Sequence, residues 1–369
     1  MISVKSHIVV AFGTRPEVIK LWPVILEIQK LKDIRLTVVN TGQHQSLTQE
    51  ILRDLELTPN LSFELARSSS DLNELATKLM ERWTDFYSKR DIDLLIVQGD
   101  TATAAISALA AFHSGVNVVH VEAGLRTHNR NHPFPEEIYR QLIARLAVFH
   151  FAPTEKARLN LLNEGIRESL IEVTGNTGID ALRLILLRRN HLSNLPDKPF
   201  VLVTCHRRES IGPRLQVLLD ALAKFAEEAS HFKIKFVMHA NPAILNPIKN
   251  HLSGISNIEL LENQTYSRFI LLMKHAHFIV TDSGGVQEEA PYLGKKVLVY
   301  REATERLEAI ASGNSKFLTA DINAIFNSMI EASKDFNKID ESIDIFGDGF
   351  ASQRIVSKAL SLIETKLDQ

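Results

Sequence analysis

Cysteine and unbalanced charge are both scarce in this sequence. Its single cysteine, Cys205, excludes a disulfide within the chain and any metal site built from clustered cysteines, and we expect no metal. Lysine and arginine together number 42 and aspartate and glutamate 44, so the formal net charge at pH 7 is −2. A surface without a basic excess has no general attraction for the phosphates of nucleic acid. We therefore expect no nucleic-acid partner.

Long hydrophobic runs are also missing. No stretch approaches the ~18 apolar residues that a membrane-spanning helix needs. The apolar run near the N-terminus, within MISVKSHIVVAFGTRPE, is too short for a signal peptide and has no small-residue cleavage site. These features predict a cytoplasmic protein without a membrane partner.

What the sequence does contain is a repeated alternation of apolar strands and amphipathic helices. β-branched runs such as 7–12 and 93–98 are followed by helical stretches, the pattern of βαβ units and parallel sheets. The alternation pauses in the polar segment 191–199 and restarts with a strand at 200–204. The sequence therefore predicts an α/β protein with two doubly wound, Rossmann-like domains facing across a cleft.

The predicted domain boundaries follow from that interruption and from the length. At 369 residues the chain is longer than one hydrophobic core usually supports. We place an N-terminal α/β domain at 1–177 and a C-terminal α/β domain at 178–351. The last helix, 352–369, is predicted to cross back onto the first domain.

Charged side chains begin abruptly at the end of one apolar strand, 118–121. Glu122 follows that strand directly, and Glu136 comes after a loop that contains two prolines. Doubly wound folds place reactive groups at the carboxyl ends of their strands, which favours a functional site over a plain surface loop. Asp100 follows another strand, although it could instead cap the next helix.

Two further turns after strands carry groups suited to phosphate. Arg15, after the first strand, offers a guanidinium fork, with Lys20 about one helical turn further on, although a surface arginine is the alternative. The turn has no G-x-G-x-x-G pattern, so it does not indicate dinucleotide binding. His206 also follows a strand and could move protons near neutral pH, and a structural histidine is equally compatible with the sequence.

The stretch 282–289 is the sharpest local pattern. A strand ends, two glycines let the backbone approach a ligand, and a helix begins, so free N–H groups could bind phosphate together with the Ser283 hydroxyl. Glu288 or Glu289 could hold ribose hydroxyls. The alternative is an ordinary turn in which Asp282 caps the helix.

Taken together, the motifs resemble those of the non-hydrolysing UDP-N-acetylglucosamine 2-epimerases. They occur in order from residue 12 to about 309: FGTRPEVIK, TGQH, QGDT, HVEAGLRT, PFPEE, FAPTEKAR, VTGNTGIDAL, HRRE, DSGGVQEEAPYLGK and ATERLEA. The resemblance implies a two-domain fold of GT-B type and a homodimer. It departs at QGDT, where HGDT is commoner, and at Ser46, near a regulatory substrate site of bacterial relatives.

The resemblance also implies roles for individual residues. The implied catalytic residues are Asp100, Glu122, Glu136 and His206. The implied contacts to the UDP-sugar substrate are Arg15, Lys20, Arg140, Arg207, Ser283, Gly284, Gly285, Glu289 and Arg306. A regulatory site would include Gln43, Glu137 and His239.

The implied reaction is reversible C2 epimerisation of UDP-GlcNAc to UDP-ManNAc, for surface polysaccharide precursors. UDP is eliminated to give a 2-acetamidoglucal and is then added back, so no NAD or other cofactor is expected. Several alternatives stay open at this point. The substrate could be a modified sugar, such as a diacetamido uronate or a 6-deoxy sugar. The protein could also be a hydrolysing epimerase that releases ManNAc and UDP, a GT-B glycosyltransferase, or a nucleotide-sugar-binding regulator without catalysis.

Overall fold

The structure is a computed structural model. It describes residues 6–65, 71–188, 199–206, 210–239, 241–301, 307–334 and 344–367. The chain divides into two compact units, one formed by Met1–Leu184 with Phe346–Gln369 and the other by Ile185–Ile345. No helix within the described ranges is both long enough and apolar enough to cross a membrane.

The first unit is built on a parallel sheet that has seven strands within the described ranges, in the order β3-β2-β1-β4-β5-β6-β7. Its strands are β1 (Ser6–Phe12), β2 (Ile34–Asn40), β3 (Leu61–Ser62), β4 (Leu94–Gln98), β5 (Asn117–Val121), β6 (Phe149–Ala152) and β7 (Ile171–Val173). Its helices are α1 (Arg15–Gln29), α2 (Gln45–Asp54), α3 (Leu72–Tyr87), α4 (Ala102–His113), α5 (Glu136–Leu146), α6 (Glu155–Asn163) and α7 (Thr177–Arg188), which ends just beyond the unit boundary.

The second unit repeats the design with six parallel strands in the part of the chain that is described, in the order β10-β9-β8-β11-β12-β13. Its strands are β8 (Phe200–Thr204), β9 (Lys233–Val237), β10 (Ile258–Leu261), β11 (Phe278–Thr281), β12 (Val297–Val299) and β13 (Ser315–Phe317). Its helices are α8 (Pro213–Glu228), α9 (Pro242–Leu252), α10 (Tyr266–His275), α11 (Gly284–Tyr292), α12 (Leu307–Ala311) and α13 (Ile322–Lys334). The prediction of two Rossmann-like α/β domains is confirmed.

The last helix, α14 (Ala351–Leu367), is tied to α7 by one buried carboxylate. Asp180 accepts hydrogen bonds from the Ser352 N–H at 2.7 Å, the Ser352 hydroxyl at 2.6 Å and the Ala351 N–H at 3.2 Å. An acidic group at a helix start satisfies free N–H groups there. Both helices contribute to the first unit, which extends to Leu184 and resumes at Phe346. The limits at 177 and 352 stay predictions.

The strand order decides which loops meet. β1, β4 and β5 are neighbours in the first sheet, and β8 and β11 are neighbours in the second. The carboxyl ends of parallel strands lie at one edge of a sheet, where doubly wound folds bind ligands. The turn that carries Arg15 therefore lies beside Asp100 and Glu122, and His206 lies beside Asp282.

Candidate active site

Glu122 follows β5 and is held at both carboxylate oxygens. The Lys20 ammonium donates to Oε1 at 2.6 Å, and the Gln98 side-chain amide donates to Oε2. The residue is only 9% exposed and has a φ of +63°, the left-handed region that side chains other than glycine rarely adopt. Hydrogen bonds donated to a carboxylate favour its ionised form. Donors on both oxygens therefore fix the Glu122 carboxylate in place.

Asp100 forms an ion pair with Arg140 of α5. The Arg140 Nε donates to Asp100 Oδ2 at 2.6 Å, and the same guanidinium donates to Glu137 at 3.1 Å. The alternative that Asp100 caps α4 is wrong, because Thr101 is the N-cap and accepts from the Ala104 N–H at 3.0 Å. The Asp100 carboxylate is left to interact with Arg140 at the strand ends.

Glu136, the first residue of α5, differs in its electrostatic environment. Burial raises its pKa, and the negative charge of Asp100 adds to the increase, although Arg140 and a backbone N–H oppose it. Glu136 is half-buried, whereas Glu122 has an ammonium at 2.6 Å. The first unit thus holds one carboxyl biased toward its acid form and another paired with an ammonium.

Glu137, a predicted regulatory residue, supports the loop between β5 and α5. It is fully buried and accepts from the N–H groups of Thr127 and His128, both at 3.0 Å, as well as from Arg140. Burial alone would raise its pKa, but these hydrogen bonds and Arg140 lower it. The loop also contains cis bonds before Pro133 and Pro135. These contacts give Glu137 a structural task, and its regulatory role stays a prediction.

Gln43, another predicted regulatory residue, joins the ends of β2 and β4. Its side-chain oxygen accepts from the Thr103 N–H at 3.0 Å and from the Thr103 hydroxyl at 2.8 Å. Gly13 lies against Thr103 and Thr41. A Cβ at position 13 would be 2.2 Å from the Thr103 hydroxyl and 2.3 Å from the Thr41 hydroxyl. Glycine is therefore required for the turn that leads into Arg15, the half-buried first residue of α1.

Glu17 links the two turns that carry Arg15 and Asp100, a role that the sequence did not reveal. One carboxylate oxygen accepts from the N–H groups of Gly13 and Thr14 at 2.9 and 2.8 Å, and the other from the Thr101 hydroxyl at 2.5 Å. Complete burial raises the pKa of Glu17 to about 7, although its hydrogen bonds act in the opposite direction. The T-R-P-E spacing, which is that of a helix capping box, is the signal that could have identified it.

Glu17 should make stability depend on pH. It keeps its proton to about pH 7 in the folded state but loses it near 4.5 when unfolded, so the folded protein binds more protons between these values. The free energy of unfolding therefore falls as pH rises through this window, by about 3 kcal/mol. Glu17→Gln removes this contribution. Urea denaturation of both proteins from about pH 5 to about pH 8 should show the wild type losing stability relative to the variant; parallel curves would contradict this.

His120 forms a hydrogen bond to the backbone of the turn before Asp100. Its Nε2 lies 2.7 Å from the Gly99 carbonyl oxygen, which can only accept, so Nε2 carries the proton. Burial lowers the pKa of His120 to about 3, and the ring is neutral at physiological pH. Gly99 itself has a φ of +72°. A neutral histidine thus holds the carbonyl of the glycine that precedes Asp100.

In the second unit, His206 is oriented by Asp282. The buried Asp282 carboxylate accepts from the His206 N–H at 2.9 Å and from the Ser210 hydroxyl at 2.9 Å, and His206 Nδ1 lies 3.0 Å from it. A carboxylate only accepts, so Nδ1 carries a proton and Nε2 points away from Asp282. The interpretation of Asp282 as the cap of α11 is wrong, because Ser283 is the N-cap.

The start of α11 keeps the predicted phosphate-binding features. Ser283 and Gly284 open the helix, and a Cβ on the exposed Gly285 would meet only the Ser283 hydroxyl, at 4.0 Å. The backbone N–H groups at this helix end are available for an anion. Glu289, one to two turns on, accepts from the Tyr266 hydroxyl at 2.7 Å.

His239, the third predicted regulatory residue, lies beside His206. The two rings are stacked with centroids 6.1 Å apart, and His239 Nδ1 accepts from the Asn241 N–H at 3.1 Å. Arg207 and Arg306, predicted to contact the substrate, lie outside the described residues. Among the residues that are described, no group of three or more His, Cys, Asp or Glu side chains could hold a metal ion.

Known proteins share both the sequence and the fold of this chain. Residues 26–360 match the family described as UDP-N-acetylglucosamine 2-epimerase. The enzyme of that name from Salmonella borreze is 40% identical over 379 residues, covering 98% of this chain and 100% of the relative. The one from Yersinia pestis is 39% identical over 371 residues, covering 96% and 98%.

Among solved structures, the UDP-GlcNAc 2-epimerase from Neisseria meningitidis bound to UDP-GlcNAc matches with a TM-score of 0.87 and 37% identity, covering 96% of this chain and 100% of that one. The GT-B-type fold implied by the motifs is thereby confirmed. The chain belongs to the UDP-N-acetylglucosamine 2-epimerase family.

Proposed function

We propose that the chain catalyses reversible C2 epimerisation of UDP-GlcNAc to UDP-ManNAc without releasing free sugar. The observation that carries the proposal is the contrast between two carboxyl groups of the first unit. Glu122 accepts from the Lys20 ammonium and the Gln98 amide, while burial raises the pKa of Glu136. A reaction that removes a proton and returns one to the opposite face of a carbon needs such a pair.

The proposed reaction proceeds by elimination and addition. A base takes the C2 proton, the C1–O bond to UDP breaks, and UDP leaves with that electron pair while the C1–C2 double bond of a 2-acetamidoglucal forms. Addition of UDP back to C1 and of a proton to the other face of C2 gives the epimer. Atoms and electrons balance without an oxidant, so the proposal needs no nicotinamide cofactor.

The first unit would supply the proton chemistry. Ionised Glu122 would take the C2 proton in one direction, and Glu136, biased toward its acid form, would donate one to the opposite face. The Asp100–Arg140 ion pair, joined at 2.6 Å, would stabilise charge beside the sugar. Moving protons by such positioned groups contributes roughly 10²–10⁴ to rate.

The second unit would hold UDP. The N–H groups of Gly284 and Gly285 are donors suited to the diphosphate, and Glu289 is suited to the ribose. With Nδ1 protonated toward Asp282, Nε2 of His206 would be a further donor in the imidazolium form of the ring. Donors aimed at a leaving group stabilise the charge that develops on it. The structure from Neisseria meningitidis contains UDP-GlcNAc, which supports this substrate.

Incubation with UDP-GlcNAc in deuterated water, followed by NMR, tests the proposal. We expect deuterium at C2 and a mixture of gluco and manno nucleotide sugars, whereas a glycosyltransferase would leave the C2 proton in place. Free ManNAc as the main product would show a hydrolysing epimerase instead. Faster exchange on a diacetamido uronate or a 6-deoxy sugar would change the assigned substrate but not the reaction. We further propose that the product serves surface polysaccharide synthesis and that the enzyme is a homodimer.

A further inference from the structure

Gln98 is the last residue of β4 and faces the functional edge of the sheet. In the ladder it pairs with Val121 of β5, the residue before Glu122. The side chain is buried, at 4% exposure, and its amide nitrogen donates to Glu122 Oε2. A buried amide at a strand end thus contacts the carboxylate of the neighbouring strand end.

The two donors to Glu122 differ in charge and in flexibility. Lys20 reaches Oε1 from α1 and brings a positive charge on a flexible side chain. Gln98 reaches Oε2 from the rigid sheet and brings a neutral donor that does not titrate. Donors on both oxygens prevent the carboxylate from rotating about its last bond. A base that must reach one C–H bond gains from being held in this way.

We propose that Gln98 is a positioning residue that orients the Glu122 carboxylate for removal of the C2 proton. This inference rests on the proposed epimerase function. It also gives a physical meaning to the first residue of the QGDT motif. The amide donates this hydrogen bond in the same way at every pH, because it does not titrate.

The test compares Gln98→Leu, which removes the donor at similar volume, with Gln98→His, which keeps one. We expect Gln98→Leu to lower kcat for deuterium incorporation at C2 by about 10–100-fold, the range for a lost hydrogen bond to a charged group. KM and the Kd for UDP should change less than about threefold. Gln98→His should recover kcat to within about fivefold of wild type.

Two further variants complete the design. Gln216→Leu is a matched control, since Gln216 donates to the Asp220 carboxylate at 3.0 Å on the surface of α8, and it should keep wild-type turnover. When Glu122→Gln is already present, adding Gln98→Leu should lower kcat by less than about a further threefold, because the contact between residues 98 and 122 is already changed.

The outcomes separate the two proposals. Wild-type kcat in Gln98→Leu overturns the positioning role alone. A second outcome also overturns the positioning role: Gln98→Leu lowers kcat, UDP binding and the unfolding temperature together, and Gln98→His does not restore them. That result would show that Gln98 is only a structural residue. UDP binding by the wild type without any exchange at C2 overturns the epimerase function, and the positioning role with it.

Discussion

Glu122→Gln is expected to lower turnover at least about 10²-fold while leaving the Kd for UDP within about threefold of wild type. The substitution keeps the shape of the side chain and removes its ability to accept a proton. Losing a positioned general base costs roughly 10²–10⁴ in rate. UDP binding should persist, because the proposed diphosphate donors belong to α11 and His206 in the second unit.

The measurement combines steady-state turnover, deuterium incorporation at C2 and calorimetric titration with UDP. Glu74→Gln is the matched control: Glu74 pairs with Lys78 at 2.8 Å on α3, so the same change removes a lysine–glutamate pair elsewhere in the first unit. It should leave turnover unaltered. Wild-type exchange in Glu122→Gln would refute the role of Glu122. Loss of UDP binding together with a lower unfolding temperature would show that the variant acts through the fold instead.

The residues at strand ends could be predicted because their positions follow from a general property of the fold. Asp100 and Glu122 each follow an apolar run, and parallel strands bring their carboxyl ends to one edge of the sheet. Which ends are neighbours depends on strand order, which the motifs do not encode. The order β1-β4-β5 brings Lys20 to Glu122 and Glu17 to Thr101, and both contacts were absent from the sequence-based interpretation.

The two aspartates for which capping was the alternative interpretation show why local patterns fall short. Asp100 and Asp282 each stand just before a helix, where an acidic side chain is typical of a cap. In both places the following residue, Thr101 or Ser283, is the N-cap instead. The carboxylates are then available for partners from distant parts of the chain, Arg140 and His206. Sequence separation of 40 and 76 residues hides such pairs from any local pattern.

The loop between β5 and α5 presents a third kind of difficulty. Its prolines predicted a constrained segment, but its course depends on a buried anion that comes later in the chain. Glu137 accepts from the backbone N–H groups of Thr127 and His128, the latter with a φ of +58°. A charged residue between charged neighbours gives no sign in the sequence that it will be fully buried. Only the folded structure shows which of Glu136 and Glu137 supports the loop.

Asp282→Asn should have the second large effect, lowering turnover about 10²-fold or more. The carboxylate receives three donors: the His206 N–H, His206 Nδ1 and the Ser210 hydroxyl. Asparagine has one acceptor oxygen, and its NH₂ group would face a donor. The Nδ1 proton would then lose its partner, so the imidazolium form of His206, in which Nε2 also donates, would be destabilised. The positively charged Nε2–H donor proposed for the departing UDP would be lost.

Turnover, the Kd for UDP and the unfolding temperature should be measured together for this variant. Ser210→Ala is the matched control, because it removes one of the three donors to Asp282 and leaves the His206 contacts intact. It should lower turnover by less than about tenfold. His206→Gln and Asp282→Asn should combine non-additively, since both act through the same ring. Turnover of Asp282→Asn within threefold of wild type, or strictly additive losses in the double variant, would mean that Asp282 does not work through His206. A loss of turnover with the fold intact, and a weakening of UDP binding no larger than that of His206→Gln, is what an orienting carboxylate requires.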